Sequence, residues 1–218
     1  MVVQWKIQTP LTHSLQEDFG LEMSVEQAIE QNEDLCGRHF KDETLSFAAG
    51  QAFDVSNCIF ERCTFGELDF KRISFADCIF DKCEWSNVHL SNATFQRVCF
   101  QNCRMTGLEM VRGVLMNTAF DSCMMDYLSL SETKLDRALF SDCRIRESLW
   151  SEVRMPKVRF ENADLCKAQW MRTPLAGVDM SSCVIDGWNI SLFDLRGVKL
   201  TAAQVISLSG LLGVEIIS

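Results

Sequence analysis

Paired cysteines are the residues of this sequence whose type and spacing most directly suggest chemistry. Cys58 and Cys63 lie five residues apart, and Cys78 and Cys83 repeat the pair twenty residues later. Such spacing is typical of a zinc cage or a disulfide framework. The 11 cysteines are about 5% of the 218 residues, below the roughly 8–10% of disulfide scaffolds. The first residues, MVVQWKIQTP, lack the basic segment and apolar run of a signal peptide, so we expect a cytoplasmic protein with reduced thiols.

The other reactive residues offer little for catalysis. Histidine occurs only as His13, His39 and His89, and the sequence contains no G-x-S-x-G, P-loop, H-E-x-x-H or Rossmann motif. We therefore expect a protein that is not an enzyme, with no catalytic residues, no metal and no cofactor. The net charge of −9 argues against direct binding of nucleic acid. The longest nearly apolar stretch, LSGLLGVEII, is far shorter than the ~20 residues of a membrane span, so no membrane association is expected either.

A repeat of five residues organises most of the chain. Every fifth residue from Phe40 to Leu200 is large and apolar at 32 of 33 positions, and Gly50 is the exception. Neither a helix nor a strand has this period. A smaller or medium-sized residue precedes most of these positions by two, and the remaining three are mostly polar. The pattern predicts a coil with flat sides and a turn at each corner, whose stacked turns bury a continuous apolar column.

The number of sides follows from a second period of twenty residues. Phenylalanine recurs without a break every twenty residues from Phe40 to Phe160, which predicts four five-residue sides per turn. The cysteines then occupy the small inward position as buried filler, because neighbouring turns roughly 4.8 Å apart are too distant for a disulfide. The cysteines assigned to this position are Cys58, Cys63, Cys78, Cys83, Cys103, Cys123, Cys143 and Cys183.

At this level of detail the sequence resembles the pentapeptide-repeat family, whose unit is commonly written A(D/N)LXX. The stretch ADL at 163–165 matches the unit literally, and CTF, LDF, ATF and CRI are variants of it. The resemblance covers about residues 36–200 and implies an all-β solenoid, a right-handed quadrilateral β-helix. The five-residue register does not slip between residues 40 and 200, so the chain is most similar to the loopless quinolone-resistance members of the family.

The resemblance also implies a function and a partner. Those relatives bind the type II topoisomerases DNA gyrase and topoisomerase IV, protect them from fluoroquinolones, and are thought to imitate duplex DNA. Two alternatives remain open: a scaffold or interaction rod with another partner, and an immunity factor against a gyrase-directed toxin.

Charge is distributed unevenly among the four predicted sides. The side that carries the phenylalanine column is the most acidic, and the side that precedes it in each turn is basic. We expect the acidic side to contact a partner, although ordinary solubilising charge explains the same residues. Its carboxylates are Glu61, Asp81, Asp121, Asp142, Glu161 and Asp179.

Residues 201–218 leave the repeat. Thr201 and Gln204 form a capping-box signature, and Gly213 is suited to the end of a helix. The helix either caps the solenoid against fraying or holds a homodimer, as in the relatives, and we favour the dimer. The apolar residues predicted to lie on one side of it and to form the interface are Val205, Ile206, Leu208, Leu211 and Leu212.

The N-terminal segment, residues 1–35, is acidic and has no repeat. SVEQAIEQNEDL begins with a capping signature at Ser24 and Gln27, so we expect a short helix there. Capping the open end of the solenoid is the favoured role, because unpaired strand edges are otherwise exposed, and contact with a partner is the alternative. The predicted organisation is a cap over 1–35, a β-helix over 36–200 and a dimerisation helix and tail over 201–218.

Overall fold

The chain coils into a four-sided parallel β-helix with twenty residues in each turn. The computed structural model describes residues 6–18, 20–46, 52–66 and 69–213. Phe60, Phe80, Phe100 and Phe120 stand in register on successive strands, so each turn advances by twenty residues. This register confirms the predicted solenoid. Gly50, the one interruption of the repeat, lies outside the described residues.

The four sides differ in how continuously their strands pair. Two adjacent sides share one long parallel sheet, which runs from the strand Gln16–Asp18 to the strand Arg154–Glu161. A third side is a sheet that runs from Asp69–Phe70 to Asn189–Ile190. The fourth is held by the pair Thr44–Leu45 and Thr64–Phe65 and then by single bridges, from Thr64↔Glu84 to Asp164↔Val184.

The secondary-structure elements in the described part of the chain have the following bounds. The helices are α1 (Leu21–Gln31) and α2 (Ala202–Ser207), and a 3-10 turn follows at Ser209–Leu212. The strands are β1 (Gln16–Asp18), β2 (Leu35–Cys36), β3 (Arg38–Lys41), β4 (Thr44–Leu45), β5 (Phe53–Ser56), β6 (Ile59–Glu61), β7 (Thr64–Phe65), β8 (Asp69–Phe70), β9 (Ile73–Asp81), β10 (His89–Ser91), β11 (Thr94–Gln101), β12 (Glu109–Val111), β13 (Val114–Asp121), β14 (Ser129–Ser131), β15 (Lys134–Ser141), β16 (Leu149–Ser151), β17 (Arg154–Glu161), β18 (Gln169–Met171) and β19 (Asn189–Ile190).

Aromatic rings fill the interior in continuous stacks. From Phe40 to Phe160 the rings of the predicted column lie 4.8–5.5 Å apart, with interplanar angles of at most 20°. The strand spacing imposes this stacking, since like residues repeat at the same place in each turn. The void between Trp85, Phe100 and Phe120 measures about 10 Å³, roughly room for one water molecule. The interior around these rings is therefore closely packed.

The cysteines at the small inward position are buried, as predicted, and do more than fill space. Seven of the eight thiols donate back to a backbone carbonyl of the preceding turn, as in the Cys103 Sγ to Phe80 O contact of 3.3 Å, whereas Cys183 contacts the Ser182 hydroxyl. Thr173 makes the same contact with Trp150 O at 3.0 Å, so the position accepts a small donor as well as the apolar residues, such as Ala93 and Val98, that are buried there in other turns. All eleven cysteines are free thiols.

We expect these thiols to resist modification in the native protein. Burial raises the pKa of the Cys58 thiol to about 11, so at pH 8 it stays protonated and unreactive. With a chromogenic disulfide reagent at pH 8, exposed Cys36 should react first and half-buried Cys99 and Cys166 more slowly. The buried cysteines should react only in denaturant. Rapid reaction of all eleven thiols in the folded chain would contradict their assignment to the interior.

The corners of the coil are turns with a left-handed residue. Arg62, Lys82, Asn102 and Asp142 are among the non-glycine residues with φ near +50°. Positive φ at the second central residue of a turn is the signature of a type II turn, which asparagine and aspartate adopt at lower cost than most residues.

The corner at Pro156 departs from the conformation of the equivalent corners in the preceding turns. Pro156 lies within β17, where the pairing shifts so that Asp136 stands opposite Lys157. Lys157 lacks the positive φ of Asn117 and Arg137, the corner residues of the two preceding turns. Proline has no N–H for the ladder, which accounts for a bulge at this point. The five-residue register is therefore not perfect.

Helix α1 begins four residues earlier than its capping signature predicts. Its N-cap is Gly20, and Ser24 lies inside the helix, where its hydroxyl is bonded to Asp18 at 3.2 Å. The earlier start places Leu21 beside Val25 on the face that packs into the solenoid core.

The last turn of the solenoid departs from the repeat. Phe193 occupies the small inward position by sequence, yet it is 68% exposed, while its neighbour Asp194 is buried. Ser191 accepts a hydrogen bond from the Asp194 N–H and donates its hydroxyl to Asp194 Oδ2, which folds this segment into a local turn. The flat side therefore gives way to a local turn here, although Trp188 is buried at the corresponding position of the preceding side.

Candidate functional site

Four of the six predicted acidic residues form one line along the rod. Glu61, Asp81, Asp121 and Glu161 occupy the same place in their turns, and Gln101 and Ser141 fill the gaps between them. We call this line the acidic column. Its charges beyond Asp81 come on alternate turns, roughly 9.6 Å apart at the usual strand spacing of about 4.8 Å.

Nearby cations neutralise part of the acidic column. Glu61 pairs with Arg62 and with Lys41 at 3.4 Å. Partial desolvation opposes ionisation there, but these two cations hold the pKa of Glu61 below its usual range. Asp81 lies 3.8 Å from Lys82.

Toward the other end of the acidic column, Glu161 lies 3.5 Å from Arg159, whereas the exposed Asp121 bonds Ser122. The acidic column is thus least compensated at Asp121.

The remaining two predicted residues lie beside the acidic column. Asp142 is a corner residue with φ +51°, and Asn162 and Ser141 donate hydrogen bonds to its carboxylate. Asp179 lies opposite Lys199, and the hydroxyl and N–H of Ser181 lower the pKa of its carboxyl group. Both side chains are exposed.

The neighbouring side carries both paired and unpaired cations. Arg97 is held by both oxygens of Asp77 at 2.6 Å. Lys134 and Arg154 stand in register on adjacent turns and, like Lys157, make no ion pair within the part of the chain that the structure describes. An open groove of about 950 Å³ runs beside Lys134 and Arg154. The rod therefore presents an acidic side next to a basic one.

No catalytic grouping appears among the described residues. His89 contacts Glu109 at 3.0 Å on the surface, and no nucleophile is in contact with that pair. Within residues 6–18, 20–46, 52–66 and 69–213, no cluster of histidine, cysteine and carboxylate side chains is arranged to hold a metal ion. None of the described helices has the length and hydropathy needed to cross a membrane.

The C-terminal helix has the predicted cap but not the predicted apolar face. Gln204 N–H donates to Thr201 Oγ1 at 3.2 Å, and the Gln204 side chain accepts from Thr201 N–H at 2.8 Å. Gln204 Nε2 also donates to Met180 O and Cys183 O, which fastens α2 to the last turns of the solenoid. Gly213 ends the 3-10 turn with φ +65°.

The five predicted dimer residues divide between surface and core. Val205 and Ile206 are more than half exposed, whereas Leu208 is buried in the chain's own core. Leu211 is partly buried and packs on that core, and the side chain of Leu212 lies outside the description. Leu208 and Leu211 therefore do not share the exposed surface of Val205 and Ile206, because α2 ends at Ser207 and the 3-10 turn changes the period.

Two further apolar residues are exposed, and the sequence did not predict this. Leu192 and Phe193 are 50% and 68% exposed, and they join Val205 and Ile206 as uncovered apolar side chains at the C-terminal end. The size of Phe193 gave no signal of its exposure, since Phe53 and Trp188 are buried at the same position of their sides.

Comparisons with solved structures identify the fold. The pentapeptide-repeat protein HetL from the cyanobacterium Nostoc sp. strain PCC 7120, involved in heterocyst differentiation regulation, is 11% identical with a TM-score of 0.53, covering 80% of this chain and 92% of HetL. A trypsin-treated variant of QnrB1, a plasmid-mediated fluoroquinolone resistance protein, is 17% identical with a TM-score of 0.41, covering 84% of this chain and 98% of that one.

Sequence comparisons identify the family. A search of curated proteins gives no match. The family model described as "Pentapeptide repeat region" matches residues 53–120 and 93–170, which together span more than half of the chain. These matches coincide with the most regular turns of the β-helix. The chain belongs to the pentapeptide-repeat family.

Proposed function

We propose that this protein is a binding rod that docks on a type II topoisomerase, DNA gyrase or topoisomerase IV, and protects it from fluoroquinolones. The observation that carries the proposal is the acidic column, which aligns Glu61, Asp81, Asp121 and Glu161 along the rod axis. A straight line of carboxylates on a rigid rod presents negative charges at regular intervals, as a DNA phosphate backbone does. It can therefore contact the basic residues of a DNA-binding surface. The sequence resemblance to the quinolone-resistance members supplies the partner.

The imitation of DNA is local rather than complete. Duplex DNA bears one charge per ~1.7 Å of its axis. The acidic column carries one carboxylate per two turns over most of its length, and Lys82 and Arg159 compensate two of them. We therefore expect the contact to be made at a few basic residues of the topoisomerase, with Asp121 at its centre.

A supercoiling assay tests this function. Purified protein is titrated into DNA gyrase with relaxed plasmid, with and without ciprofloxacin. We expect the chain to raise the ciprofloxacin concentration needed for half-inhibition and, at higher concentration, to compete with DNA. If supercoiling and drug sensitivity are unchanged for both gyrase and topoisomerase IV, the proposal is wrong.

An interaction rod with a different partner is the second candidate. The ion pairs within the acidic side, such as Glu61 with Arg62, favour it, because they reduce the charge that a DNA-binding surface would attract. This candidate predicts no effect in the supercoiling assay.

We also propose that two rods join at their C-terminal ends. Leu192, Phe193, Val205 and Ile206 leave apolar surface uncovered there, and a two-fold contact between copies would bury it.

Introducing charge at this end should separate the dimer. The double change Val205→Asp and Ile206→Asp leaves buried Leu208 and the Gln204 cap in place, so the rod should stay folded. Light scattering should then report a dimer for the unchanged chain and a monomer for the variant.

Tyr127→Asp is the control, since Tyr127 is equally exposed but lies on the middle of the rod. An unchanged chain that is monomeric at tens of micromolar would rule the dimer out. Truncation after Lys199 should also give a monomer, although it removes the contacts of α2 with the core.

A further inference from the structure

The segment that precedes β1 lies along one corner of the rod. The backbone N–H groups of Gln8, Leu11 and His13 donate to the side chains of Asn117, Asp77 and Asn57 at 3.4, 3.0 and 2.8 Å. These three acceptors are corner residues of different turns, and Arg97 occupies the turn between Asp77 and Asn117. Residues 8–13, which we call the strap, thus run back along the rod across four turns. We call Asn57, Asp77 and Asn117 the track.

The track forms hydrogen bonds mainly to the backbone of the strap rather than to its side chains. Besides the three donated N–H groups, Asn57 Nδ2 returns a hydrogen bond to His13 O at 3.0 Å. The one bond to a strap side chain is Asn117 Nδ2 to Gln8 Oε1, at 3.3 Å. Pro10 has no N–H, and it lies between Gln8 and Leu11, at a position of the strap from which the track accepts no hydrogen bond. An extended segment of different sequence could therefore satisfy the same groups.

Two of the three acceptors, Asp77 and Asn117, are held in place without the strap. Both oxygens of Asp77 accept from Arg97 at 2.6 Å, and Asn117 Oδ1 accepts from Arg137 Nε at 2.8 Å. Each of these guanidinium groups comes from the next turn of the rigid solenoid. Binding a peptide here costs little ordering of the site.

The strap itself is held weakly. None of residues 6–15 is buried, so no apolar side chain anchors the segment to the core. Elements with few buried contacts open at low cost while the rest of the protein stays folded. The strap can leave the track without disturbing the β-helix.

We propose that the track is a docking site for an extended peptide and that the strap is its resident, displaceable occupant. The incoming segment presents backbone N–H groups at positions i, i+3 and i+5 and takes the place of Gln8, Leu11 and His13. The occupant is a protein segment in extended conformation. This site is separate from the acidic column and does not depend on a topoisomerase partner.

A peptide-binding experiment on the full-length chain tests the proposal. Leu11→Pro removes the N–H given to Asp77 and should free the track, while far-UV circular dichroism checks that the rod is folded. The probe is a fluorescein-labelled peptide of residues 6–14. We expect the Leu11→Pro chain to bind it at least tenfold more tightly than the unchanged chain, whose own strap competes. Absence of saturable binding to Leu11→Pro up to millimolar peptide would overturn the proposal.

Matched variants locate the binding. Asn57→Gly removes both bonds to His13, and glycine tolerates the positive φ at this corner. Asn102→Gly is the control, because Asn102 has the same backbone conformation but contacts Asp81. Added to Leu11→Pro, Asn57→Gly should weaken peptide binding at least fivefold and Asn102→Gly should leave it unchanged. Equal effects of the two glycines would show binding elsewhere and refute the track.

Two further measurements, one on the peptide and one on the unchanged chain, test whether the track recognises backbone N–H groups. N-methylation of Leu11 in the probe should abolish binding, whereas N-methylation of Thr12, whose N–H is not bonded to the track, should not. In the unchanged chain, excess unlabelled peptide should speed hydrogen exchange of the Leu11 and His13 amides. Tolerance of N-methyl-Leu11, or exchange unaffected by peptide, would count against the proposal.

Discussion

Replacing Phe100 with alanine is expected to lower the free energy of unfolding by roughly 3–5 kcal/mol, the usual cost of deleting a buried aromatic ring. Phe100 is 1% exposed and stacks on Phe80 at 4.8 Å and on Phe120 at 5.0 Å. Trp85 and Phe95 also contact it, at 6.0 and 5.7 Å between ring centroids. The backbone on both sides is fixed by pairing to neighbouring turns, so the cavity cannot collapse easily.

Urea denaturation followed by circular dichroism and tryptophan fluorescence measures this loss. Gln101→Ala is the matched control, because Gln101 is the exposed next residue of the same strand, and it should change stability by no more than about 0.5 kcal/mol. A loss below 1 kcal/mol for Phe100→Ala, on the order of a surface substitution, would contradict the stacked interior.

Changing Asp81, Asp121 and Glu161 together to lysine is expected to abolish topoisomerase binding and drug protection. The variant places three positive charges in the acidic column. The column should then repel a basic DNA-binding surface instead of attracting it. The rod should survive, since Asp121 and Glu161 are exposed and Asp81 is only half-buried. Binding by the unchanged chain should weaken as salt is raised, because the Debye length is about 8 Å at physiological ionic strength.

The control must change net charge by the same amount. Glu109, Glu132 and Glu147 are exposed carboxylates away from the acidic column, and their joint change to lysine should leave protection nearly intact. Loss of protection in both triple variants would indicate a requirement for overall charge. Protection retained when the acidic column is reversed would exclude this side as the binding surface.

Much of the fold follows from the five-residue period alone. A large apolar residue at every fifth position, with a small one two before it, leaves only an inward-facing coil as a way to bury both. The phenylalanines that recur every twenty residues then determine the number of sides. The cysteine slot and the capping box of α2 were predictable for the same reason, because each depends on residues close together in the sequence.

The candidate site could be predicted only in part. The sequence placed Glu61, Asp81, Asp121 and Glu161 on one side of the rod, since their spacing is a multiple of the repeat. It did not reveal that Lys82 and Arg159 compensate two of them, which depends on side-chain rotamers.

The sequence by itself determined the solenoid, its four sides and the identity of the residues inside. Only the tertiary structure decided how the ends meet that regular rod: the bulge at Pro156, the exposure of Phe193 and the path of the strap to Asn117, a contact between residues 109 apart. Periodicity reports local packing repeated many times. It carries no information on a contact that occurs only once, between residues far apart in the sequence, and that must replace hydrogen bonds to solvent.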